Sequence, residues 1–283
     1  MKIAHLILCH KNPEQVRRLI VRLTDIHFDF YIHVDKKTDI TPFLPLQVLP
    51  NVFFIKNRVS AHWGGYSIVQ ATINSYQEIL SAGQPYTYVN LLSGQDYPLT
   101  NAGEIYKYYL DRPGKAFMII EPFTHQWQEA FKKITKYHFV QLNFRGRHTL
   151  ERIANALMPN RMFPPTFVPV GRAQWMTLSP ECVAYILDFL KKNPSIKKTF
   201  RYMWAPDEMV FQSVLYNSHF REIIVNDNQR YVDWSELQPS PKILTMTDAE
   251  TLTTSDKLFA RKFDPDVDNK ILDYLDGVIA RKA

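Results

Sequence analysis

The sequence has few cysteines, and both lie in apolar segments. Cys9 and Cys182 are the only two in 283 residues, and neither has a partner at the spacing of a metal site. A small cysteine count excludes a fold held together by disulfides, so we expect two buried free thiols. No apolar run reaches a membrane-spanning length, and the first one, residues 3–8, predicts a strand and is too short for a signal peptide or anchor. We therefore expect a cytoplasmic protein, with peripheral contact to the inner face of a membrane left open.

Two common phosphate-binding loops are missing. No G-x-G-x-x-G follows the first strand and no G-x-x-x-x-G-K-[ST] occurs, so dinucleotide-binding and P-loop proteins are disfavoured. The chain has neither an internal repeat nor a low-complexity linker. It does have a net charge of +6, which favours a polyanionic ligand such as a nucleotide diphosphate, a nucleic acid or an anionic membrane. Composition does not decide between them.

Strand and helix patterns alternate through the first half of the chain. Strands are predicted over residues 2–8, 28–34, 52–55 and 86–92, and helices begin near residues 12, 68 and 104. The near-continuous apolar run at 86–92 is typical of a strand covered on both faces. Later strands are predicted over 115–120, 171–178 and 223–225. These patterns predict an α/β fold with a mainly parallel central sheet and helices on both faces.

Acidic residues follow two of the predicted strands. Asp35 ends the strand at 28–34, Asp96 follows the strand at 86–92, and a Trp-Gly-Gly loop at 63–65 lies between them in sequence. Ligands of open α/β sheets bind at the carboxyl ends of the strands, so the pattern indicates a nucleotide pocket. Ordinary turns also use aspartate at such positions, which is the alternative interpretation.

A carboxylate on a short helix is the candidate catalytic group. Pro206 fits a first helical turn, Asp207 and Glu208 follow, and apolar residues continue at helical spacing to residue 215. Glu208 could act as a general base, or the two acids could simply cap the helix. Neighbouring helical side chains point about 100° apart, so Asp207 and Glu208 do not form the carboxylate pair of a glycosidase.

Residues 125–169 are rich in basic and aromatic side chains and then in prolines. A nucleic-acid interface would suit this composition, but no RNA-binding aromatic motif or zinc-ligand spacing accompanies it. We interpret the region as a substrate-side insertion and expect no nucleic-acid partner.

Seven short blocks occur in a fixed order over about residues 3–268 and together resemble one enzyme family. The blocks are IHVDK (32–36), Trp63 with the helix after it, NLLSGQDYP (90–98), GRAQWMTL (171–178), PDE (206–208), YVDW (231–234) and LFARKFD (258–264). They resemble the core-2/I-branching β-1,6-N-acetylglucosaminyltransferases and the related peptide O-xylosyltransferases of glycosyltransferase family 14. Known animal members are membrane-anchored and disulfide-rich, so the few cysteines favour a bacterial-type member.

The resemblance implies a single GT-A-type catalytic domain over residues 1–283, with a nucleotide-binding half at 1–120 and an acceptor and catalytic half at 121–283. It implies that Glu208 is the general base. The implied donor contacts are His33, Asp35, Asp96, Lys242, Arg261 and Lys262. The implied acceptor contacts are Gln174, Trp175 and Trp234, and for Trp234 a place in the core is the alternative. Lys242 is the candidate for the second basic contact, although the family pattern leads us to expect an arginine and the spacing in this sequence is three residues shorter.

Most GT-A enzymes hold the donor diphosphate through a metal bound by Asp-x-Asp, but here only Asp96 stands at that position. We interpret the one other Asp-x-Asp run, residues 264–268, as a turn. The leaving diphosphate still needs its growing charge stabilised, and fixed lysine and arginine side chains can do so. We therefore predict no metal site and no cofactor besides the UDP-sugar substrate.

The expected reaction is inverting transfer of N-acetylglucosamine from a UDP-sugar to a hydroxyl of a saccharide or lipid-linked glycan, within polysaccharide biosynthesis. A β-linkage results when the acceptor attacks from the face opposite UDP. Two alternatives stay open: a xylosyl- or hexosyltransferase on the same fold, and a non-catalytic polyanion-binding module.

Overall fold

The computed structural model describes residues 1–123, 129–141 and 144–281. Its strands are β1 (Lys2–Cys9), β2 (Phe28–Val34), β3 (Val52–Phe54), β4 (Tyr86–Ser93), β5 (Asp96–Pro98), β6 (Ala116–Phe117), β7 (Ile120–Pro122), β8 (Val170–Arg172), β9 (Thr177–Leu178), β10 (Ile224–Val225), β11 (Arg230–Val232) and β12 (Phe259–Arg261). Its α-helices are α1 (Pro13–Leu23), α2 (Tyr66–Ser81), α3 (Ala102–Leu110), α4 (Glu129–Thr135), α5 (Arg147–Leu157), α6 (Pro180–Lys192), α7 (Pro194–Arg201), α8 (Val210–Tyr216), α9 (Ala249–Thr254) and α10 (Lys270–Arg281). Short 3-10 helices lie at Thr41–Val48, Pro206–Glu208, His219–Ile223 and Met246–Asp248. No helix in the described part of the chain is long and apolar enough to cross a bilayer.

The chain folds into two compact units that interleave along the sequence. Unit 1 contains Met1–Lys56, Pro85–Gly114 and Asp227–Ala283, and unit 2 contains Asn57–Gln84 and Lys115–Asn226. The expected division at residue 120 into a nucleotide half and an acceptor half concerns binding, so it stays a prediction.

Unit 1 contains a parallel sheet in the order β3-β2-β1-β4. All seven residues of β2 are buried, as are six of the eight in β1. Strands buried along their whole length need both faces of the sheet covered, which is the arrangement of parallel sheets in α/β proteins. The predicted α/β class with a mainly parallel sheet is confirmed.

Two amphipathic helices of unit 1, α1 and α10, each bury one apolar face. Pro13 occupies the first turn of α1, and the apolar residues at helical spacing after it are all fully buried. The last helix, α10, buries one face in the same way and is joined to α1 by Arg18, which donates to Asp276 at 2.8 Å and to Asp273 at 2.7 Å. A small sheet of β11, β12 and β5 completes the unit, with β12 parallel to β11 and antiparallel to β5.

Unit 2 contains shorter strands than the sequence predicts. The strand predicted at 115–120 is two strands, β6 and β7, and the strand predicted at 171–178 is β8 and β9 with a break between them. In this break, Gln212 donates its side-chain amide to the carbonyl of Ala173 at 2.5 Å. A side chain from α8 therefore takes a carbonyl that a continuous strand would use for its ladder.

The segment around Glu208 also differs from the predicted single helix. Residues Pro206–Glu208 form one 3-10 turn, Met209 leaves helical geometry with φ −136°, and α8 begins at Val210. The six residues 210–215 are buried, so α8 is a core helix and the turn before it lies at its N-terminal end.

The basic and aromatic region is more regular than expected. Helices α4 and α5 lie within it, whereas its residues His125 and Trp127 fall outside the described residues. Cys9 and Cys182 are both buried thiols that form no disulfide, which confirms the thiol prediction.

Candidate active site

Backbone hydrogen bonds join the carboxyl ends of three parallel strands in unit 1. The amide of Asp35, after β2, donates to Cys9 in β1, and the amide of Gly94, after β4, donates to Leu8, each at 2.8 Å. A Cβ atom on Gly94 would lie 2.8 Å from the Cβ of Cys9, so glycine permits this close approach. The strand ends therefore form one edge, where ligands of α/β sheets bind.

Asp35 lies at this edge, as the sequence predicts. It is 8% exposed, and its Oδ1 accepts the backbone N–H of Lys37 at 2.9 Å. His33, within β2, is buried. His10 lies near both Asp35 and Lys37, and its pKa is lowered, mainly by burial and then by Lys11. Contact of His33 and Asp35 with a uridine stays a prediction.

Asp96 is completely buried and holds an arginine. Its Oδ2 accepts the N–H of Ser93 at 3.0 Å, and its Oδ1 lies 3.5 Å from Nε of Arg261. Burial raises the pKa of Asp96, and the Arg261 guanidinium opposes that rise. Asp96 therefore accepts a hydrogen bond from the end of β4 and lies within ion-pair distance of Arg261, while direct contact with the donor stays a prediction.

The two predicted diphosphate lysines differ in their partners. Lys242 pairs with Asp248 at 2.6 Å and lies 3.9 Å from Asp233, and the Asp248 hydrogen bond raises its pKa. Lys262 donates to the hydroxyl of Ser240 at 3.0 Å, and burial followed by nearby Arg261 lowers its pKa. A lysine that is already paired with carboxylates attracts a phosphate less strongly. The ion pairs therefore favour Lys262 over Lys242 as the diphosphate contact.

Lys11 lies near Lys262 and was not predicted as a site residue from the sequence. Its Nζ lies 2.5 Å from Asp264, and its charge contributes to the lowered pKa of Lys262. The feature of the sequence that could have identified Lys11 is its position two residues beyond β1, at the same edge of the sheet as Asp35. We call Lys11, Arg261 and Lys262 the cation group.

Within residues 1–123, 129–141 and 144–281, no three His, Cys, Asp or Glu side chains are placed to hold a metal ion. In the Asp-x-Asp run, Asp264 accepts from Lys11 and Asn12, and Asp268 accepts the N–H of Met246 at 2.8 Å. The interpretation of this run as a turn fits these bonds, although Asp264 is buried. Independence of metal stays a prediction.

Trp234 follows β11 and is 50% exposed. The ring therefore does not lie in the core, while its contact with an acceptor stays a prediction. The carbonyl of its neighbour Asp233 accepts the N–H of Lys242 at 2.9 Å, which places Trp234 and Lys242 on adjoining segments of unit 1.

In unit 2, Glu208 is paired with a lysine that the sequence analysis did not assign to the site. Lys133 of α4 donates to Oε2 of Glu208 at 3.0 Å, and both side chains are about a quarter exposed. Met209 occupies the N-cap of α8, and neither the 3-10 turn nor α8 has a side-chain hydrogen bond at its N-cap, while the role of Glu208 as general base stays a prediction. Asp207 is buried at 8% exposure, whereas Glu208 remains accessible.

Strand β8 runs directly against the turn that carries Glu208. A Cβ atom on Gly171 would lie 2.1 Å from the carbonyl oxygen of Glu208, so only glycine fits there. Gln174 and Trp175 lie between β8 and β9 and are partly exposed. Their contact with an acceptor stays a prediction.

An aromatic pair lies beside the same turn. The carbonyl of Gly64 accepts the N–H of Ala205 at 2.9 Å, and the φ of Gly64 is +72°. A side chain at Gly64 would approach the ring of Trp204 to 2.9 Å. Trp63 packs edge-to-face on that ring at 5.1 Å and is 63% exposed, so an open aromatic face adjoins the segment that bears Glu208.

Comparison with known proteins identifies the family. A family model described as "Core-2/I-Branching enzyme" matches residues 3–256. Xylosyltransferase oxt of Drosophila pseudoobscura pseudoobscura is 25% identical over 96% of the chain, and Xylosyltransferase 2 of Homo sapiens is 24% identical over 98%. The chain spans 32% and 33% of these two proteins, about a third of their length.

Among solved structures, apo mouse xyloside xylosyltransferase 1 is 12% identical and covers 91% of this chain and 97% of its own, with a TM-score of 0.43. The family model covers most of the chain. The blocks of sequence that resemble the family contain Asp35, Glu208 and Lys262 of the candidate site. The chain belongs to the Core-2/I-Branching enzyme family of glycosyltransferases.

Proposed function

We propose that this chain transfers a sugar from a UDP-sugar to a hydroxyl of a saccharide or lipid-linked glycan, with inversion and without a metal. The cation group is the observation that carries the proposal. Lys11 and Arg261 lie near Lys262 and each has a carboxylate partner, Asp264 at 2.5 Å and Asp96 at 3.5 Å, whereas Lys262 makes no ion pair with a carboxylate among the described residues. Such a group suits a diphosphate, because donors fixed in advance stabilise the charge that grows on the leaving group.

Glu208 is proposed as the general base. It takes the proton of the acceptor hydroxyl while that oxygen attacks the anomeric carbon and the bond to UDP breaks. The proton passes to the Glu208 carboxylate and the bonding electrons leave with UDP. Lys133 holds the carboxylate in one orientation before the acceptor binds, and an α-linked donor gives a β-linked product.

N-acetylglucosamine is the donor sugar that we propose first, on the resemblance to the β-1,6-N-acetylglucosaminyltransferases. The relatives named as xylosyltransferases favour xylose as the second candidate. Either donor uses the same base and the same cation group, since the sugars differ only in groups away from the diphosphate.

We further propose that a bacterial-type enzyme of this kind works in the cytoplasm, in polysaccharide biosynthesis, and touches the inner membrane surface where lipid-linked glycans lie. The basic charge of the chain supports this placement, because anionic lipids attract basic surfaces. A polyanion-binding module without catalysis is the competing proposal for the same charge.

Release of UDP from a panel of UDP-sugars, with and without EDTA, tests the proposal. We expect slow hydrolysis of UDP-N-acetylglucosamine or UDP-xylose that EDTA leaves unchanged. Release that disappears in EDTA and returns with Mn²⁺ would overturn the metal-free assignment. No release and no donor binding by calorimetry would favour the polyanion-binding module, which predicts salt-sensitive binding to nucleic acid or anionic lipid instead.

A further inference from the structure

Helix α5 of unit 2 presents its apolar side chains to solvent. Leu150, Ile153 and Leu157 lie three and four residues apart, which places them on one side of a helix. They are 40%, 50% and 81% exposed. Met158 and Met162, just beyond the helix, are also exposed. We call Leu150, Ile153 and Leu157 the α5 face.

The opposite side of α5 is attached to the protein by polar groups. Asn155 accepts the N–H of Tyr137 at 2.7 Å and donates to the carbonyl of the same residue at 2.9 Å. Glu151 accepts the N–H of Phe139 at 2.8 Å. A surface helix usually turns its apolar side inward and its polar side to water. Helix α5 does the reverse, so its apolar side is available to a partner.

The charges around the α5 face are positive. Residues 144–162 contain four arginines, of which Arg161 is buried, and one acidic residue, Glu151. That acid faces the protein and lies near Arg147 and His148, whereas Arg145 and Arg152 are exposed. The surface therefore combines large apolar side chains with unopposed arginines. This is the composition of helices that lie in the interface of an anionic membrane, with the apolar side among acyl chains and the arginines at the headgroups.

We infer that α5 is a docking surface for an anionic lipid bilayer, and that the α5 face enters the interface. A second copy of the chain would bury the apolar residues but would gain nothing from the arginines, which would meet each other. A nucleic acid would use the arginines but not the apolar residues. Anionic lipid uses both. The inference deepens the proposed membrane contact and does not depend on the proposed catalysis.

Co-sedimentation with vesicles tests the inference. The vesicles contain phosphatidylcholine alone or phosphatidylcholine with phosphatidylglycerol as the minor component. We expect the full chain to bind the mixed vesicles and to bind phosphatidylcholine alone much more weakly. The double variant Ile153→Glu/Leu157→Glu should lower binding to the mixed vesicles by at least about tenfold, because two large side chains leave the apolar layer.

A second variant separates charge from apolar contact. Arg145→Ala/Arg152→Ala should weaken binding to mixed vesicles by about tenfold or more and leave the weak binding to phosphatidylcholine unchanged, since each basic residue near an anionic surface contributes about fivefold. The matched control is Ile26→Glu/Val48→Glu in unit 1, where both side chains are more than 80% exposed. This control should bind like the parent.

Three results would overturn the inference. One is a parent protein that does not bind the mixed vesicles. Another is binding that the arginine variant loses and the glutamate variant keeps, which indicates a polyanion surface. The third is self-association, measured by sedimentation, that the glutamate variant abolishes without any vesicle binding by the parent. Circular dichroism checks that the variants fold. UDP release without lipid should be equal in all of them, which keeps this test separate from that of the proposed reaction.

Discussion

Lys262 differs from Lys242 in how its charge is balanced, and the difference predicts a pH dependence. Burial and the neighbouring Arg261 and Lys11 charges lower the pKa of Lys262. In the proposed function UDP binds the protonated lysine, so affinity should be full below that pKa and decline as pH rises through it. The decline should therefore begin at a lower pH than for an ordinary lysine. Calorimetry of UDP binding from neutral to alkaline pH measures it.

Two variants test whether this pH dependence arises from the Lys262 side chain. Lys262→Arg should move the decline to higher pH, because arginine stays charged. Lys262→Met should weaken UDP binding by roughly 10- to 100-fold, the usual effect of removing a charged hydrogen-bond partner, while Lys242→Met has a smaller effect. An affinity that is flat with pH, or equal losses at both lysines, would contradict the assignment.

Most of the site residues named from the sequence lie in the blocks that resemble the family. Asp35 and Asp96 lie at the ends of the strands predicted for them, whereas Glu208 lies on a 3-10 turn and not on the single helix predicted from Pro206. Lys11 and Lys133 were missed for different reasons. Lys11 lies in no block that resembles the family, and Lys133 is 75 residues from the carboxylate that it contacts. A contact across that separation depends on tertiary folding, which no local pattern reports.

Strand β8 packs directly against the turn that bears Glu208. A methyl group at Gly171 would lie 2.1 Å from the Glu208 carbonyl and 3.0 Å from its carbonyl carbon, so the two elements would have to separate. Gly171→Ala should destabilise the protein by about 1–3 kcal/mol, the usual cost of overpacking, and should also lower UDP release by moving Glu208. Denaturant unfolding and activity assays measure the two effects.

Gly277→Ala is the matched control. Gly277 lies within α10, and a Cβ atom there would meet no atom within 4 Å. Alanine is a better helix former than glycine by about 0.5–1 kcal/mol, so this variant should stabilise the protein and leave activity unchanged. Gly171→Ala behaving like Gly277→Ala would show that β8 does not constrain the turn.

The elements that the sequence predicts well are those with a strong local pattern of apolar residues. The buried strands β1, β2 and β4 are apolar runs, and α1 has apolar residues at helical spacing. The strand predicted at 171–178 and the helix predicted from Pro206 are each divided, and both divisions lie where segments distant in sequence meet. Gln212 takes the carbonyl of Ala173, and Gly171 packs on the backbone of Glu208. Propensity cannot describe such a contact, so the boundaries of these elements differ from the predicted ones.

Each of the two compact units contains one cysteine, so the reactivity of each thiol follows the unfolding of its own unit. Cys9 is in unit 1 and Cys182 is in unit 2, and both are buried thiols that form no disulfide. Burial also raises the pKa of the Cys182 thiol, which disfavours the reactive thiolate. Both should react with a thiol reagent only on unfolding, and a reductant should leave the unfolding curve unchanged. Mass spectrometry of partly labelled protein identifies which thiol reacts first. Rapid labelling of either thiol in the native protein would contradict the burial described for its unit.

The α/β class with a mainly parallel sheet, the free thiols and the family follow from the sequence, because each depends on patterns repeated over the whole chain. The donor sugar does not follow, because contacts to single hydroxyls set it. The division into interleaved units was also beyond the sequence analysis, since it depends on which distant segments pack together.

The central claim is that Glu208 is the general base of a sugar transfer. Its most direct test compares the parent with Glu208→Gln in two assays, UDP release with the preferred donor and UDP binding by calorimetry. We predict that release falls by about 10²–10⁴-fold while UDP affinity is unchanged, and that Glu181→Gln, an exposed glutamate on α6, behaves like the parent in both assays. Glu208→Gln that releases UDP at the parental rate would contradict the account, because an amide cannot accept the proton of the acceptor.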